Sequence, residues 1–174
     1  MRKRYLVLLL LFSTLLTCPF LGGCGGMILF DDSEKKADAR LEKLLEVIAN
    51  KDENAMKEIF SKQAVYEAIN FDENMRYLFN LFQGHVVSWE RDRYGGNTET
   101  VNGKKYNQLL SWYTVTTNKD KYRFYISDYI IDTINPDNVG MYTLHVIRAE
   151  EADADSPFII NWEYKEVAGI YKPE

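Results

Sequence analysis

Residues 37–64, ADARLEKLLEVIANKDENAMKEIFSKQA, contain the pattern that decides the fold class of this 174-residue chain. Apolar residues recur every three or four positions and charged residues fill the positions between them, which is the period of amphipathic helices. A first helix is predicted to begin at the N-cap candidates 31–33 and to end at Asn50, and Asp52 can cap a second, shorter helix that stops at Ser61. The residues predicted to face inward are Ala37, Leu41, Leu44, Leu45 and Ile48 in the first helix, and Ala55, Met56, Ile59 and Phe60 in the second.

A third helix is predicted to begin near Asp72, or slightly earlier with Asn70 as its cap. Its apolar residues repeat at helical spacing along one face. They are Phe71, Met75, Leu78, Phe79 and Phe82. Three amphipathic helices in series need an apolar surface to pack against.

The second half of the chain, residues 85–148, predicts that surface because apolar and polar residues alternate between turn signals. Asn102-Gly103 is the strongest of these signals, since both positions of a tight hairpin turn must accept positive φ. Further turns are predicted at 118–120 and 135–138, and a bulge or turn is predicted at Gly95-Gly96. Helices followed by antiparallel strands indicate an α+β domain, with three N-terminal helices packed on one face of the sheet. Residues 158–171 fit a final strand or a short helix equally well.

The first 23 residues have the composition of a secretory leader. Residues 1–5 include three basic side chains, and residues 6–16, LVLLLLFSTLL, form an apolar core. Leu21-Gly22-Gly23-Cys24 follows, and this resembles the lipobox of bacterial lipoproteins. The resemblance implies cleavage before Cys24 and acylation of its thiol. The lipid bilayer would then be a partner, and acyl chains would hold the protein on the extracytoplasmic face of the cell membrane.

Two other interpretations of the N-terminus remain open. No charged residue occurs from Tyr5 through Phe30, a length that could cross a bilayer as an uncleaved anchor, although Pro19 and several glycines make a poor helix. Cys18 is the rival lipid site, but the residues before it, Leu15-Leu16-Thr17, are bulkier than those before Cys24. With Cys24 as the site, we expect a leader over 1–23, a lipidated cysteine and short tether over 24–32, and one α+β domain over 33–174.

Charge and cysteine content exclude several classes of function. The leader holds three of the 21 basic residues and none of the 26 acidic ones, so its removal changes the formal net charge from −5 to −8. Such an acidic domain is a poor nucleic-acid binder, because phosphates require Lys and Arg. Cys18 and Cys24 are the two cysteines of the chain, so the domain after Cys24 has no thiol for a disulfide, a nucleophile or a metal. We expect no nucleic-acid partner and no cofactor.

The helical stretch and the strands after it resemble the nuclear-transport-factor-2-like (cystatin-like) cone, in which helices pack on a strongly curved sheet. More narrowly, residues 33–174 are similar to small lipoproteins of Gram-positive gut bacteria that have this fold and no assigned function. The matching stretches are 51–61, 79–84, 122–131 and 169–171. In the wider superfamily the cone encloses a pocket, which some members use for isomerase or dehydratase chemistry and many others use for binding. The resemblance therefore implies a fold more strongly than an activity.

Strand parity suggests candidates for a pocket. Asp128 and Asp132 share a face with the apolar residues of the strand that starts at Tyr122, and His145 shares a face with Met141 and Ile147 on the next strand. If the two faces coincide, Asp128 and His145 would meet as an acid/base pair. His85 and Trp89, which share a face of the first strand, are further pocket candidates.

Each of these residues also has a structural interpretation. Aspartates four residues apart on a strand are more often solvated near a bulge or at the sheet rim. A histidine that alternates with Met and Ile is more often a hydrogen-bonded structural residue. A single bulge would reverse every parity argument.

No metal or phosphate site is predicted. The two histidines show no zinc spacing, and the acidic loop 150–157 lacks the glycine and ligand order of a calcium loop. Asp92, between Arg91 and Arg93, fits exposed strand charges that neutralise one another. The sequence favours a membrane-anchored module that binds a small ligand, a peptide or a protein. The alternative is a small extracytoplasmic enzyme of isomerase, dehydratase or hydrolase type.

Overall fold

The computed structural model describes residues 32–151 and 167–172, and the predictions for the leader, Cys24 and the tether lie outside these residues. Within this part of the chain, four helices precede the strands: α1 (Ser33–Asn50), α2 (Glu53–Ile59), α3 (Lys62–Glu67) and α4 (Phe71–Leu81). The predicted cap of α2 is confirmed, because the Asp52 side chain accepts hydrogen bonds from the backbone N–H groups of Asn54 and Ala55. Among the described residues, no helix is both long and apolar enough to cross a membrane.

The prediction of three helices is wrong, because α3 lies between the second and third of them. Ser61, predicted as a stop, is instead the N-cap of α3, and its hydroxyl accepts a hydrogen bond from the Ala64 N–H at 3.0 Å. Phe60 has an extended backbone, which separates α2 from α3. A helix of six residues is too short to show a period in the sequence, and serine serves as a cap as readily as it ends a helix.

The described residues contain five strands, which form one curved, unclosed sheet in the order β1-β2-β3-β4-β5. They are β1 (Val86–Val101), β2 (Lys104–Thr117), β3 (Lys121–Asp132), β4 (Gly140–Arg148) and β5 (Gly169–Tyr171). Neighbouring strands are antiparallel, except that β5 runs parallel to β4. The hairpin turn at Asn102-Gly103 is confirmed, with φ of 51° and 77°. The α+β class with helices before strands is confirmed, but the wholly antiparallel sheet is not.

Gly95 and Gly96 form neither a turn nor a bulge. Both lie inside β1, where they pair with Leu110 and Leu109 without a break in register. The register shifts of β1 fall instead between Val86 and Ser88 and between Arg91 and Arg93. Gly96 is required for a different reason: a Cβ there would lie 2.7 Å from the carbonyl oxygen of Gln108.

The core lies between the four helices and one face of the sheet, which we call the inner face. Val115, Phe124 and Leu144 are among the inner-face residues, and the opposite side of the same strands is the outer face. The predicted helix faces are confirmed, because every predicted inward residue except the partly buried Ala55 is buried. The buried residues are Ala37, Leu41, Leu44, Leu45, Ile48, Met56, Ile59, Phe60, Phe71, Met75, Leu78, Phe79 and Phe82.

Candidate functional site

Asp128 and His145 lie on opposite faces of the sheet, so the predicted acid/base pair does not form. His145 is directly opposite Tyr125, on the outer face. Asp128 is opposite Met141, whose side chain is in the core on the inner face. The reason is a bulge at Tyr142, which separates Met141 from His145 and places them on different faces.

Asp128 forms a buried ion pair with Arg40 of α1. Arg40 Nε donates to Asp128 Oδ2 at 2.7 Å, and Nη2 donates to Oδ1 at 3.1 Å. The Asp128 side chain is 4% exposed and that of Arg40 is 27% exposed. The interpretation of Asp128 as a solvated rim residue is therefore wrong, although it does stand at a register shift. A buried carboxylate needs such a partner, because an isolated charge is costly to remove from water.

A second ionic cluster joins α1 to β1 and β2. Arg91 donates to Asp38 Oδ1 at 2.8 Å and to Glu34 Oε2 at 2.6 Å. The Tyr113 hydroxyl also donates to Asp38, at 3.2 Å. Burial is the main cause that raises the pKa of Tyr113 above its usual value, so the phenol stays protonated and acts as a donor. The cluster holds the N-terminal half of α1 on the inner face.

Asp92 does not neutralise its neighbours Arg91 and Arg93, as the sequence suggested, because it pairs with Arg123 and Arg91 pairs with Asp38. Asp92 stands at the register shift of β1, accepts from the Thr114 hydroxyl at 2.8 Å, and forms a salt bridge with Arg123 at 2.8 Å. The bulge places Arg91 and Arg93 on opposite faces, although residues two positions apart share a face in a regular strand: Arg91 reaches α1 on the inner face and Arg93 lies on the outer face.

His145 is a packed ring in a row of side chains that crosses the outer face from β1 to β5. The row is Arg93, Trp112, Tyr125, His145 and Tyr171. The guanidinium of Arg93 lies 5.4 Å from the Trp112 ring, and the successive ring centroids are 5.0, 5.5 and 4.5 Å apart. His145 is 2% exposed, and burial lowers its pKa to about 4. Its imidazole is therefore neutral at physiological pH.

The other pocket candidates are not brought together either. His85 precedes β1 and is exposed, whereas Trp89 is partly buried on the inner face, with its ring edge-on to Tyr113 at 5.8 Å. Asp132 holds a turn: its carboxylate accepts from the backbone N–H groups of Ile134 and Asn135 and from the Asn138 side chain. Burial alone would raise the pKa of Asp132, but these hydrogen bonds lower it.

A bulge explains the position of Asp132 as well. The pairs Gln108–Tyr129 and Asn107–Ile131 leave one extra residue, Ile130, in β3. Asp132 therefore does not share a face with Asp128, as an unbroken strand would require. No group of three or more possible metal ligands occurs in residues 32–151 and 167–172.

The helices carry a surface feature that the sequence did not predict, an open depression between α2 and the start of α4. Its volume is about 350 Å³, and its lining residues are Lys57, Val65, Asn70, Phe71, Asp72 and Glu73. Tyr66 and Ile69, next to the lining residues in the chain, are 87% and 82% exposed. We call the depression with these two side chains the α2–α4 groove. The sequence contains a weak signal for this groove, because Tyr66 and Ile69 are large apolar residues that fit none of the predicted helical stripes.

The fold and its contacts define a class, an α+β domain in which a helical layer is joined by partly buried ion pairs to one face of a curved sheet, with five strands in the described residues. Within that class, the chain belongs to a family described as a domain of unknown function (DUF5104), which matches residues 43–149. The match begins inside α1 and ends just after β4. No curated protein matches the chain.

Proposed function

We propose that this protein is a lipid-anchored, extracytoplasmic binding module with a nuclear-transport-factor-2-like cone, and that it binds a protein partner through the α2–α4 groove. The observation that carries the proposal is the exposure of Tyr66 and Ile69, which are the chain neighbours of Val65 and Asn70 in the lining of an open depression. Exposed large apolar side chains and an open depression in the same short segment of chain are features of sites where a partner protein docks. Aromatic residues in particular contribute binding energy when a partner covers them.

The charges around the groove indicate the chemistry of the partner. Asp72 and Glu73 line it together with Lys57. Both carboxylates already have a cation, because Lys57 is bound to Asp72 and Lys172 is bound to Glu73, each at 2.8 Å, but the whole chain is acidic. The fitting partner is a peptide segment that inserts an apolar side chain and places a basic residue beside it, because opposite charges steer and orient association.

The inner-face carboxylates support binding more than catalysis. Asp128 and Asp38 are each bound to an arginine, and these contacts join α1 to the sheet. The enzyme alternative depended on Asp128 and His145 facing each other, and their positions on opposite faces remove that argument.

The membrane anchor rests on the leader and on Cys24, by resemblance to the lipobox. Cys24→Ala should prevent acylation and leave an unprocessed precursor. The intact mass of the wild-type chain extracted from membranes tests this assignment directly. A chain that retains Met1, or that begins at a residue other than Cys24, would contradict it.

Binding at the groove can be tested with a displayed library of random peptides, selected on the wild-type protein. We expect enriched sequences to contain a large apolar residue next to Lys or Arg, and to lose binding to the Tyr66→Asp/Ile69→Asp variant. Ile134→Asp is the matched control, because Ile134 is 50% exposed and lies in the turn that follows β3. Enriched peptides that bind the groove variant as well as the wild type would overturn the proposal. A flotation assay gives a second test, with anionic vesicles and a chain that starts at Asp31. If the chain floats with the vesicles and this binding depends on Tyr66, the proposal is overturned, because the α2–α4 groove would then bind lipid.

A further inference from the structure

The edge strand β1 has the features of a pairing surface. Within the described residues it is hydrogen-bonded to β2 on one side and to no strand on the other. Both of its register shifts precede Arg93, and the pairing is regular from there to Val101. A long, regular and exposed strand edge is a template for another strand, and bulges and charges are the usual means of blocking it. In β1 the bulges end at Asp92, so they do not block strand pairing along the edge from Arg93 to Val101.

The charged residues of β1 from Arg93 to Val101 are complementary to those of a second β1 strand that runs in the opposite direction. Arg93 and Glu99 stand three residues before and three residues after Gly96. Arg93 pairs with Trp112 and Glu99 with Tyr106, so both lie on the outer face. When two copies pair antiparallel about an axis at Gly96, Arg93 of each chain lies directly opposite Glu99 of the other. Opposite charges at directly opposed positions stabilise an antiparallel pair.

Gly95 adds an observation that the single chain does not explain. Gly96 is needed because its Cβ would meet Gln108, but a Cβ on Gly95 would have no atom within 4 Å. Glycine inside a strand lowers its stability and often marks the close approach of another backbone. Gly95 lies on the outer face between Arg93 and Glu99, and the missing side chain leaves space for these two residues to reach across a pair of β1 strands.

We propose that two copies of this chain associate through β1, in an antiparallel pair centred on Gly96 that joins their sheets. The partner is a second copy of the same protein, because Arg93 and Glu99 of one chain are complementary to Glu99 and Arg93 of the other. The proposal is independent of the α2–α4 groove, which lies in the helical layer. For a lipid-anchored chain, confinement to a membrane would raise the local concentration and favour this association.

The test uses the full chain, purified in detergent, and sedimentation velocity over a wide concentration range. The wild type should sediment as a dimer. Arg93→Glu and Glu99→Arg each place two like-charged pairs in the interface and should weaken dimerisation roughly tenfold or more. The double variant, and a one-to-one mixture of the two single variants, should both recover it, because opposite charges face each other again.

The mixture distinguishes a lost interface from a misfolded chain, since two misfolded variants would not restore a dimer together. Thermal unfolding of each single variant, at a protein concentration low enough for the wild type to be monomeric, gives an independent check, because dimerisation itself raises the midpoint. Under these conditions the midpoint of Glu99→Arg should match that of the wild type. A wild type that is monomeric at every concentration would overturn the proposal. It would equally be overturned by single variants that dimerise like the wild type, or by a mixture that stays monomeric while both variants are folded.

Discussion

The guanidinium of Arg40 holds the carboxylate of Asp128 through two hydrogen bonds, of 2.7 and 3.1 Å, and so joins α1 to β3 across 88 positions of sequence. The arrangement is reversed on the other side of α1, where the arginine is on the strand and the acids, Asp38 and Glu34, are on the helix. Ion pairs of opposite sense on its two sides fix the position of α1 on the inner face.

Breaking the Arg40–Asp128 pair from one side should be costly. Arg40→Met leaves Asp128 buried without its cation, and we expect a loss of about 3–5 kcal/mol in the free energy of unfolding. The loss should fall near the lower value because Arg40 is partly exposed. Urea denaturation measures it. Adding Asp128→Leu should restore part of the stability, since no buried charge remains.

The matched control for this pair is Arg76→Met. It breaks a surface pair with Glu53, at 3.6 Å with both side chains more than half exposed, and should cost less than about 1 kcal/mol. Equal losses for Arg40→Met and Arg76→Met would show that burial of Asp128 carries no energetic weight.

The helical layer should depend on Leu44 and Phe79, which are 0% and 4% exposed. Truncation of either to Ala should destabilise the domain by about 2–5 kcal/mol, because it removes buried apolar surface and leaves a cavity. Thermal melts will show the effect. Lys43→Ala is the control, since Lys43 is about half exposed beside Leu44. If Leu44→Ala melts like Lys43→Ala, the packing of α1 described above is incorrect.

Neighbouring glycines of β1 should respond differently to alanine. Gly96→Ala forces a Cβ to within 2.7 Å of a backbone carbonyl, so we expect a loss of about 1–3 kcal/mol. Gly95→Ala meets open space and should be neutral or stabilising by less than about 1 kcal/mol. The measurement compares the urea midpoints of the two variants. Each variant also carries Glu99→Arg, which keeps the chain monomeric. A reversed order of stability would refute the register of β1 and β2.

Stability should fall with acidification before the carboxylates titrate. Burial lowers the pKa of His145 to about 4 from 6.5, so between these values the unfolded chain binds a proton that the folded chain does not. The stability is fully present above the unfolded pKa and is lost as pH falls, by about 2 kcal/mol between pH 7 and pH 5. His145→Phe keeps a ring against Tyr171 and should remove most of this slope. His85→Phe, at an exposed site, should leave it unchanged.

The candidate site was the least predictable part of the molecule, for an identifiable reason. Side-chain parity was correct for Asp128 relative to Phe124, because β3 pairs with β2 without a break in register between them and the extra residue at the nearby shift belongs to β4. It failed for His145 and for Asp132, since a bulge at Tyr142 and another at Ile130 each reverse the face. A single extra residue leaves no clear signal in the sequence, although it decides which side chains can meet.

The sequence by itself determined the features that depend on neighbours along the chain. The apolar stripe of α1, the cap at Asp52 and the turn at Asn102-Gly103 all follow from local spacing and local backbone conformation. The tertiary structure alone decided which distant groups meet: Arg40 with Asp128, and Arg91 with Asp38. The physical reason is that a buried charge can be satisfied only by a partner that folding brings to it, and the choice of that partner depends on strand register and bulges rather than on residue type.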